Sequence, residues 1–291
     1  MTASYLVGLI GSGIQTSLTP ALHEGEADAL GLRYLYRLID IDRLGKTATD
    51  AAALVRAARD VGYDALNITH PCKQTVFDAL DELSPDAELL GAVNTVLFRD
   101  GRTIGLNTDH SGFASGLRDG LRAPVVDRVV LLGSGGAGSA IAYALLNAGT
   151  TRLSVYDPVI ERADAVCRAL GPAFPGVRVV AITPDELAAA IAAADGLVNA
   201  TPIGMTGHPG MPISATLLHS RLWVADAVYR PLRTELIETA DALGCAVLDG
   251  GRMAVGQAAD AFRLITGAEP DPVRMRAHFL QLTGALSAAS R

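Results

Sequence analysis

Two hydrophobic rhythms alternate along the chain. "YLVGLIG" (5–11) is a near-continuous apolar run closing on glycine, the pattern of a buried strand. "ALHEGEADALG" (21–31) follows a helical pattern stopped by Gly31, and "YLYRLIDI" (34–41) returns to a strand. "TATDAAALVRAARDVG" (47–62) predicts a second helix and "YDALNIT" (63–69) a third strand. Strands alternating with helices predict βαβ units, hence an α/β fold with a mainly parallel sheet. The stretch "GAVNTVLFRDGRTIGLNTD" (91–109) breaks that rhythm. Two strand-like runs flank "RDGR", which predicts a hairpin.

A helix is expected at about 110–121, followed by "RVVLLGSGGAGSAIAYALLNAG" (128–149), a strand, glycine turn and helix. "RLSVYD" (152–157), "VRVVAIT" (177–183), "DGLVNAT" (195–201), "WVADAVY" (223–229) and "CAVLDGG" (245–251) are further strand candidates. The stretch 252–285 is expected to be helical and to pack back on the first domain. This organisation predicts two domains. The first is 1–109, completed by helices from about 252 to 291. The second is 110–251. The pattern contains no fixed-period repeat and no low-complexity linker.

Composition narrows the function classes. The 291 residues are 49% hydrophobic and 19% charged, enough for two domains with substantial cores. The net charge of −7 argues against a nucleic-acid partner, which needs a basic face. Cys72, Cys167 and Cys245 have neither metal-ligand spacing nor the even count of a disulfide framework, which fits a reduced cytoplasm. "MTASYLVGLIGSG" lacks the basic region of a signal peptide, and no apolar run reaches the length of a membrane span. The expectation is therefore a cytoplasmic protein without a metal or a membrane partner.

In "LLGSGGAGSA", Gly133, Gly135 and Gly138 match G-x-G-x-x-G. The bland reading is a strand–helix turn with no ligand. Context favours a ligand, because the turn follows an apolar strand and opens an Ala-rich helix. Small residues there let backbone N–H groups approach a pyrophosphate at the helix N-terminus. Asp157 ends the next strand, 19 positions beyond Gly138, where an acid that binds a ribose hydroxyl is expected.

Four polar stretches mark the first domain. Ser17 and Thr19 precede Pro20 and a helix, and Thr19 is a candidate N-cap. "NITHPCK" offers Thr69 and Lys73, the lysine at what reads as the start of a helix. Cations are better placed at helix C-termini, so that position asks for an explanation. Asn94 interrupts an apolar run, where a buried amide needs partners. Asn107 and Asp109 follow, and Asp109 could simply cap the next helix.

At these residues the chain resembles the shikimate dehydrogenase family. "SLTP", "NITHPCK", "GAVNT", "NTD", "GSGGAG", "NATPIGM", "DAVYRPLRTEL" and "GGRMAVGQAADAF" occur in the family order across nearly the whole sequence. The resemblance implies a substrate domain and a Rossmann domain with the active site in the cleft between them. It implies reversible oxidation of the C3 hydroxyl of quinate or shikimate, with hydride passed to a nicotinamide. Ser17 and Thr19 would bind the substrate carboxylate, with Tyr229 near it. Thr69, Asn94, Asp109 and Gln257 would bind the hydroxyls. Lys73 would be the acid/base, paired with Asp109. Gly133, Ser134, Gly135, Gly136, Ala137 and Gly138 would hold the pyrophosphate. Thr201 and its neighbours would contact the cofactor through the backbone, and Gly251 and Met253 would flank the nicotinamide.

The implied role gives Lys73 a reason. The carbon bearing a hydroxyl loses hydride readily only if the hydroxyl proton also leaves, so the accepting amine must be partly neutral. A positive helix terminus and partial desolvation would favour the neutral amine, and Asp109 would oppose them while orienting it.

Two features depart from the family's common pattern. Thr19 stands where Ser is frequent, adding a methyl group to the pocket. "VYDPVIERA" stands where NADP-using members carry a basic patch, so Asp157 resembles the NAD-preferring quinate/shikimate branch. Arg162 is the first basic residue after it, with the adenosine ribose and a surface helix as equally plausible places. The expected cofactor is NAD, the partner a small-molecule substrate, and the assembly a monomer or homodimer. A biosynthetic shikimate dehydrogenase with relaxed cofactor choice and a catalytically silent NAD-binding regulator are the alternatives.

Overall fold

The computed structural model describes residues 3–289. The chain divides into two compact units, Met1–Thr108 with Gln257–Arg291, and Asp109–Gly256.

The first unit contains β1 (Ser4–Gly11), α1 (Thr19–Ala29), β2 (Arg33–Asp40), α2 (Ala51–Asp60), β3 (Ala65–Ile68), β4 (Glu82–Leu83), α3 (Pro85–Leu90), β5 (Thr95–Arg99) and β6 (Arg102–Leu106). Its sheet runs β2-β1-β3-β5-β6-β4. β1 pairs in parallel with β2 and β3, whereas β5 is antiparallel to β3 and β6. β3 is buried on both faces, which is why its sequence shows no apolar–polar alternation. Ile10, Val55, Leu66, Ile68 and Val96 pack on one side with α2. Val7, Leu9, Tyr36, Ala65, Leu97 and Ile265 pack on the other. β2 is an edge strand, so Arg33, Leu35 and Arg37 face solvent.

The second unit contains α4 (Asp109–Gly120), β7 (Arg128–Leu132), α5 (Gly136–Asn147), β8 (Arg152–Tyr156), α6 (Ile160–Leu170), β9 (Arg178–Ala181), α7 (Pro184–Ala192), β10 (Gly196–Asn199), β11 (Trp223–Asp226), α8 (Glu235–Ala242) and β12 (Ala246–Leu248). Its sheet is parallel throughout, in the order β12-β11-β10-β7-β8-β9. Counted within the unit this is 3-2-1-4-5-6 read from the other edge, the doubly wound order of dinucleotide-binding sheets.

Several expected boundaries shift. α1 starts at Thr19 rather than 21. The helix expected at 47–62 is a short 3-10 turn followed by α2, because Thr47 and Asp50 cap each other there. The helical stretch expected at 252–285 is two helices, α9 (Gly250–Thr266) and α10 (Pro272–Ala289), separated at Gly267, where φ is 72°. β4 and α3 were not visible in the hydrophobic pattern. The unit boundary at the C-terminal side falls inside α9, between Gly256 and Gln257, and not at 252. Asp109 belongs to the second unit, as the first residue of α4.

The first unit is closed by polar ties between its ends. Glu26, 2% exposed on α1, takes Nε and Nη2 of Arg274 on α10 at 2.9 and 2.6 Å and the Asp271 N–H at 2.7 Å. Beside it His23 is fully buried against Tyr34, Tyr36 and Phe262. Its Nδ1 lies 2.9 Å from the Tyr34 hydroxyl, while Nε2 has no hydrogen-bond partner. Among the described residues no helix is long and apolar enough to cross a membrane.

Burial pushes the His23 imidazole down to about 3 from 6.5, so the folded chain holds it neutral. The unfolded chain takes up that proton below pH 6.5. Stability from this residue is therefore full above pH 6.5 and falls as pH drops toward 3, by up to about 1.4 kcal/mol per pH unit. Denaturant unfolding of the parent and of His23→Gln between pH 7 and pH 4 should give a steeper loss in the parent; parallel slopes would show that His23 is not the group responsible.

Candidate active site

Parallel pairing brings the carboxyl ends of β1, β2 and β3 to one edge of the first sheet. The segment after β1 carries Ser17 and Thr19. Ser17 Oγ donates to Thr19 Oγ1 at 3.2 Å and accepts the Thr19 N–H at 3.3 Å. The N-cap position is Leu18, without a side-chain cap, and Thr19 is already helical. The capping role considered for Thr19 is thus absent, because Ser17 takes the amide instead.

The segment after β3 carries Thr69 and Lys73, both half-buried. Lys73 sits in the single 3-10 turn Cys72–Gln74, not at the start of an α-helix. A three-residue turn sums too few peptide dipoles to act as a helix terminus, so that part of the sequence argument for a neutral amine falls away. The turn is instead pinned by the backbone, with the Cys72 N–H donating to Thr69 O at 2.8 Å and the Val93 N–H to Lys73 O at 2.9 Å.

Asn94 ends the approach to β5, and its amide finds the partners its burial demands. A chain of hydrogen bonds passes through it, and every hydroxyl donates once. The Tyr36 hydroxyl donates to Asn67 Oδ1 at 2.7 Å, and Asn67 Nδ2 to Thr95 Oγ1 at 3.2 Å. Thr95 Oγ1 donates to Asn94 Oδ1 at 3.0 Å, Asn94 Nδ2 to Thr108 Oγ1 at 3.0 Å, and Thr108 Oγ1 to the Gln257 carbonyl at 3.1 Å. Asn67, Thr95 and Thr108, each under 5% exposed, were not singled out from sequence. Asn67 inside "LNIT" was the available signal, a second buried amide in an apolar strand. The first unit thus collects Ser17, Thr19, Thr69, Lys73, Asn94 and Gln257.

The second unit holds Asp109, Tyr229 and the residues expected at the cofactor. Gly133 follows β7 at a φ of 90°, and α5 opens at Gly136. A Cβ on Gly138 would lie 2.1 Å from Gly133 O, and one on Gly133 would lie 2.9 Å from the Ala200 carbonyl carbon. A Cβ on Gly135 would meet nothing within 4 Å. The turn is therefore folded tightly on itself and open on one side above a 12-residue helix, a cradle that fits a pyrophosphate.

Asp157 follows β8 as expected, but it is not an unoccupied acceptor. It is 8% exposed, and Oδ2 accepts both the amide of Ser134 (3.0 Å) and its hydroxyl (2.8 Å). Oδ1 accepts the Val159 N–H at 3.0 Å. Burial pushes the carboxyl up, but the Val159 and Ser134 hydrogen bonds and the nearby Arg162 charge hold it below the usual range. Asp157 is therefore ionised at neutral pH, and one acceptor direction remains on Oδ1. Ser134, expected at the pyrophosphate, spends both donors on Asp157. Arg162 is exposed on α6.

A second polar knot lies between β10 and α8. Asn199 Oδ1 accepts the amide and hydroxyl of Thr201 at 3.0 and 2.7 Å, and Asn199 Nδ2 donates to Asp226 Oδ1 at 2.9 Å. Asp226 also accepts the Val228 N–H at 2.9 Å and the Thr234 hydroxyl at 2.7 Å. Burial pushes its carboxyl up to about 6 against those bonds. This knot shapes the loops carrying Thr201 and Tyr229, and neither Asn199 nor Asp226 was singled out from sequence. Burial likewise raises the Tyr229 phenol. Gly251 and Met253 lie in the first turn of α9, where the Gly251 N–H donates to Asp249 Oδ1 at 2.9 Å.

A doubly wound parallel sheet with a glycine cradle in one unit, and an α/β unit rich in buried amides and hydroxyls as the other, define a dinucleotide-binding protein of two domains. The family described as the shikimate dehydrogenase substrate binding domain matches residues 9–96. The chain is 60% identical over 281 residues to a "Shikimate dehydrogenase (NADP(+))" of Streptomyces avermitilis, covering 97% of each chain. It is 50% identical over 286 residues to a "Quinate/shikimate dehydrogenase (NAD(+))" of Corynebacterium efficiens, covering 96% of this chain and 99% of that one. Its fold is similar to that of the quinate dehydrogenase from Corynebacterium glutamicum in complex with NAD, with a TM-score of 0.90 at 48% identity over 96% of this chain and 100% of the other. The chain belongs to the shikimate dehydrogenase family.

The cradle generates a direct test. Gly138→Ala forces a methyl group to within 2.1 Å of backbone, a clash that no side-chain rotation relieves. The turn must open, at a cost of roughly 1–3 kcal/mol in stability. Calorimetric titration should show dinucleotide affinity falling with the melting temperature; a variant that binds and melts like the parent would mean that the turn is looser than this geometry.

Proposed function

We propose that the protein is an NAD-dependent oxidoreductase acting reversibly on the C3 hydroxyl of quinate or shikimate. The observation that carries the cofactor choice is the buried, ionised Asp157 at the end of β8. The observation that supports the substrate domain is the family match over residues 9–96, which spans Ser17, Thr19, Thr69, Lys73 and Asn94.

In this reading Ser17 and Thr19 donate hydrogen bonds to the substrate carboxylate, and Thr69, Asn94 and Gln257 orient the ring hydroxyls. Lys73 accepts the hydroxyl proton as hydride leaves and returns it in the reverse direction, and Asp109 is the carboxylate that orients it. The bound nicotinamide dinucleotide supplies the hydride acceptor. The turn at Gly133, Gly135, Gly136, Ala137 and Gly138 holds its pyrophosphate, with Thr201, Gly251 and Met253 contributing further contacts, and Tyr229 stands near the substrate carboxylate.

The names of relatives divide on the cofactor, NADP(+) at 57–60% identity and NAD(+) at 48–50%. The exposed Arg162 favours a second reading in which the cofactor is NADP, since its side chain could meet a 2′-phosphate. Charge next to the ribose supports NAD instead. A phosphate about 4 Å from the Asp157 carboxylate is repelled by roughly 4 kcal/mol at an effective dielectric of 20. No Arg or Lys lies at 158–161 to offset that.

Lys73→Ala should lower kcat by about two to four orders of magnitude, the range for a positioned acid–base group. Dinucleotide affinity, measured by calorimetry, should change little. Near-normal turnover of shikimate and quinate would remove Lys73 from the chemistry.

Asp157→Asn removes the charge and keeps an acceptor for Ser134. It should shift the ratio of kcat/KM for NAD over NADP toward NADP by about tenfold or more. Both cofactors are compared in parent and variant at one ionic strength. A parent faster with NADP, or an unmoved ratio, would establish that Asp157 is not the selector.

A further inference from the structure

Asp40 closes β2 in register with Gly11 at the end of β1, and it is 4% exposed. It belongs to none of the motifs that carry the family resemblance. Its hydrogen bonds nevertheless converge on the turn after β1. Oδ1 accepts the N–H groups of Gly13 at 3.3 Å and Asp42 at 3.2 Å, and Oδ2 accepts Gln15 Nε2 at 2.9 Å. Ser12 Oγ adds a bond to Asp42 Oδ2 at 2.6 Å. The Gln15 amide, then the Asp42, Gly13 and Ile14 N–H groups, hold the Asp40 carboxyl below the usual range against its burial.

The hold is passed forward along the chain. Residues Ile14–Thr16 form one 3-10 turn, and the Ser17 N–H donates to Ile14 O at 2.9 Å. Ser17 Oγ then takes the Thr19 amide and reaches the Thr19 hydroxyl. Gly13, at a φ of 65°, is a flexible point in this segment, so a fixed path from β1 to α1 needs an external anchor. Asp40 supplies it from the neighbouring strand. Its oxygens are occupied by amide donors of the turn, so its charge is spent locally.

We propose that Asp40 is a positioning residue that fixes the turn at 12–16 and thereby presents the Ser17 and Thr19 hydroxyls to the carboxylate of the substrate. This rests on the functional reading above for the identity of the ligand, and on geometry alone for the turn. Asp40 touches no reacting atom in this assignment. Its effect is on substrate affinity, and its loss should not resemble the loss of Lys73.

The test compares Asp40→Ala, which removes both acceptors, with Asp40→Asn, which retains one. Amide hydrogen exchange of the intact protein should accelerate by about tenfold at Gly13, Ser17 and Thr19 in Asp40→Ala, with β3 and the second unit unaffected. In steady state, KM for shikimate and quinate should rise by about tenfold, the loss of one anchoring hydrogen bond or so, while kcat falls less than KM rises. KM for the dinucleotide should stay at the parent value, and Asp40→Asn should recover part of both effects. A lower melting temperature with unchanged exchange at 13–19 and unchanged substrate KM would overturn the proposal and leave Asp40 a purely structural group. A parent that turns over neither substrate would sink the functional reading, and the exchange data alone would then decide whether Asp40 holds the turn.

Discussion

The site in the first unit depends on one constraint, the parallel pairing of β1 with both β2 and β3. Parallel strands finish at the same edge of a sheet. The chain must leave that edge through loops whose amides are not used by the ladder. Those loops hold Ser17, Thr19, Thr69 and Lys73, and the strand ends beside them hold Asp40. β5 and β6 add an antiparallel hairpin against β3, which delivers Asn94 to the same region through the bond from the Ile68 N–H to Asn94 O at 2.8 Å. A sheet of one direction only would not bring a residue before β5 and a residue after β3 together in this way.

Burying so many polar groups is tolerable because they satisfy each other in sequence. From Tyr36 through Asn67, Thr95, Asn94 and Thr108 to the Gln257 carbonyl, each of these donors has an acceptor, and the Thr95 and Thr108 hydroxyls both accept and donate. An unmade bond in such a place costs about 1–3 kcal/mol, so the chain holds its members in one orientation. It also fastens the middle of α9 to the segment after β6, joining residues 149 apart. The second unit solves the same problem twice. Ser134 with Asp157 braces the glycine turn, and Asn199 with Asp226 and Thr234 braces two loops.

These braces change what individual residues can do. Asp157 carries a fixed charge but little open hydrogen-bonding capacity, since three donors already occupy it. Lys73 has a pinned backbone but stands at no helix terminus. Thr19 has no capping duty, and its hydroxyl is tied only to Ser17 among the contacts described above.

The sequence by itself determined the α/β class, the strand positions other than β4, the hairpin at "RDGR" and the glycine turn, because each is written in local periodicity or in residues with special backbone freedom. It also singled out Ser17, Thr69, Lys73, Asn94 and Asp157 as candidates, through motif order and through polar residues interrupting apolar runs. It misjudged the helix start expected at 21, which is Thr19, and the helix start expected at Lys73, which is a single 3-10 turn, since local propensity does not report which group takes the first amides. The roles of Asp40, Asn67, Thr95, Thr108, Asn199 and Asp226 came only from the tertiary structure. Their partners lie on other strands, and no period along the chain encodes a hydrogen bond between residues that register, not sequence, brings together.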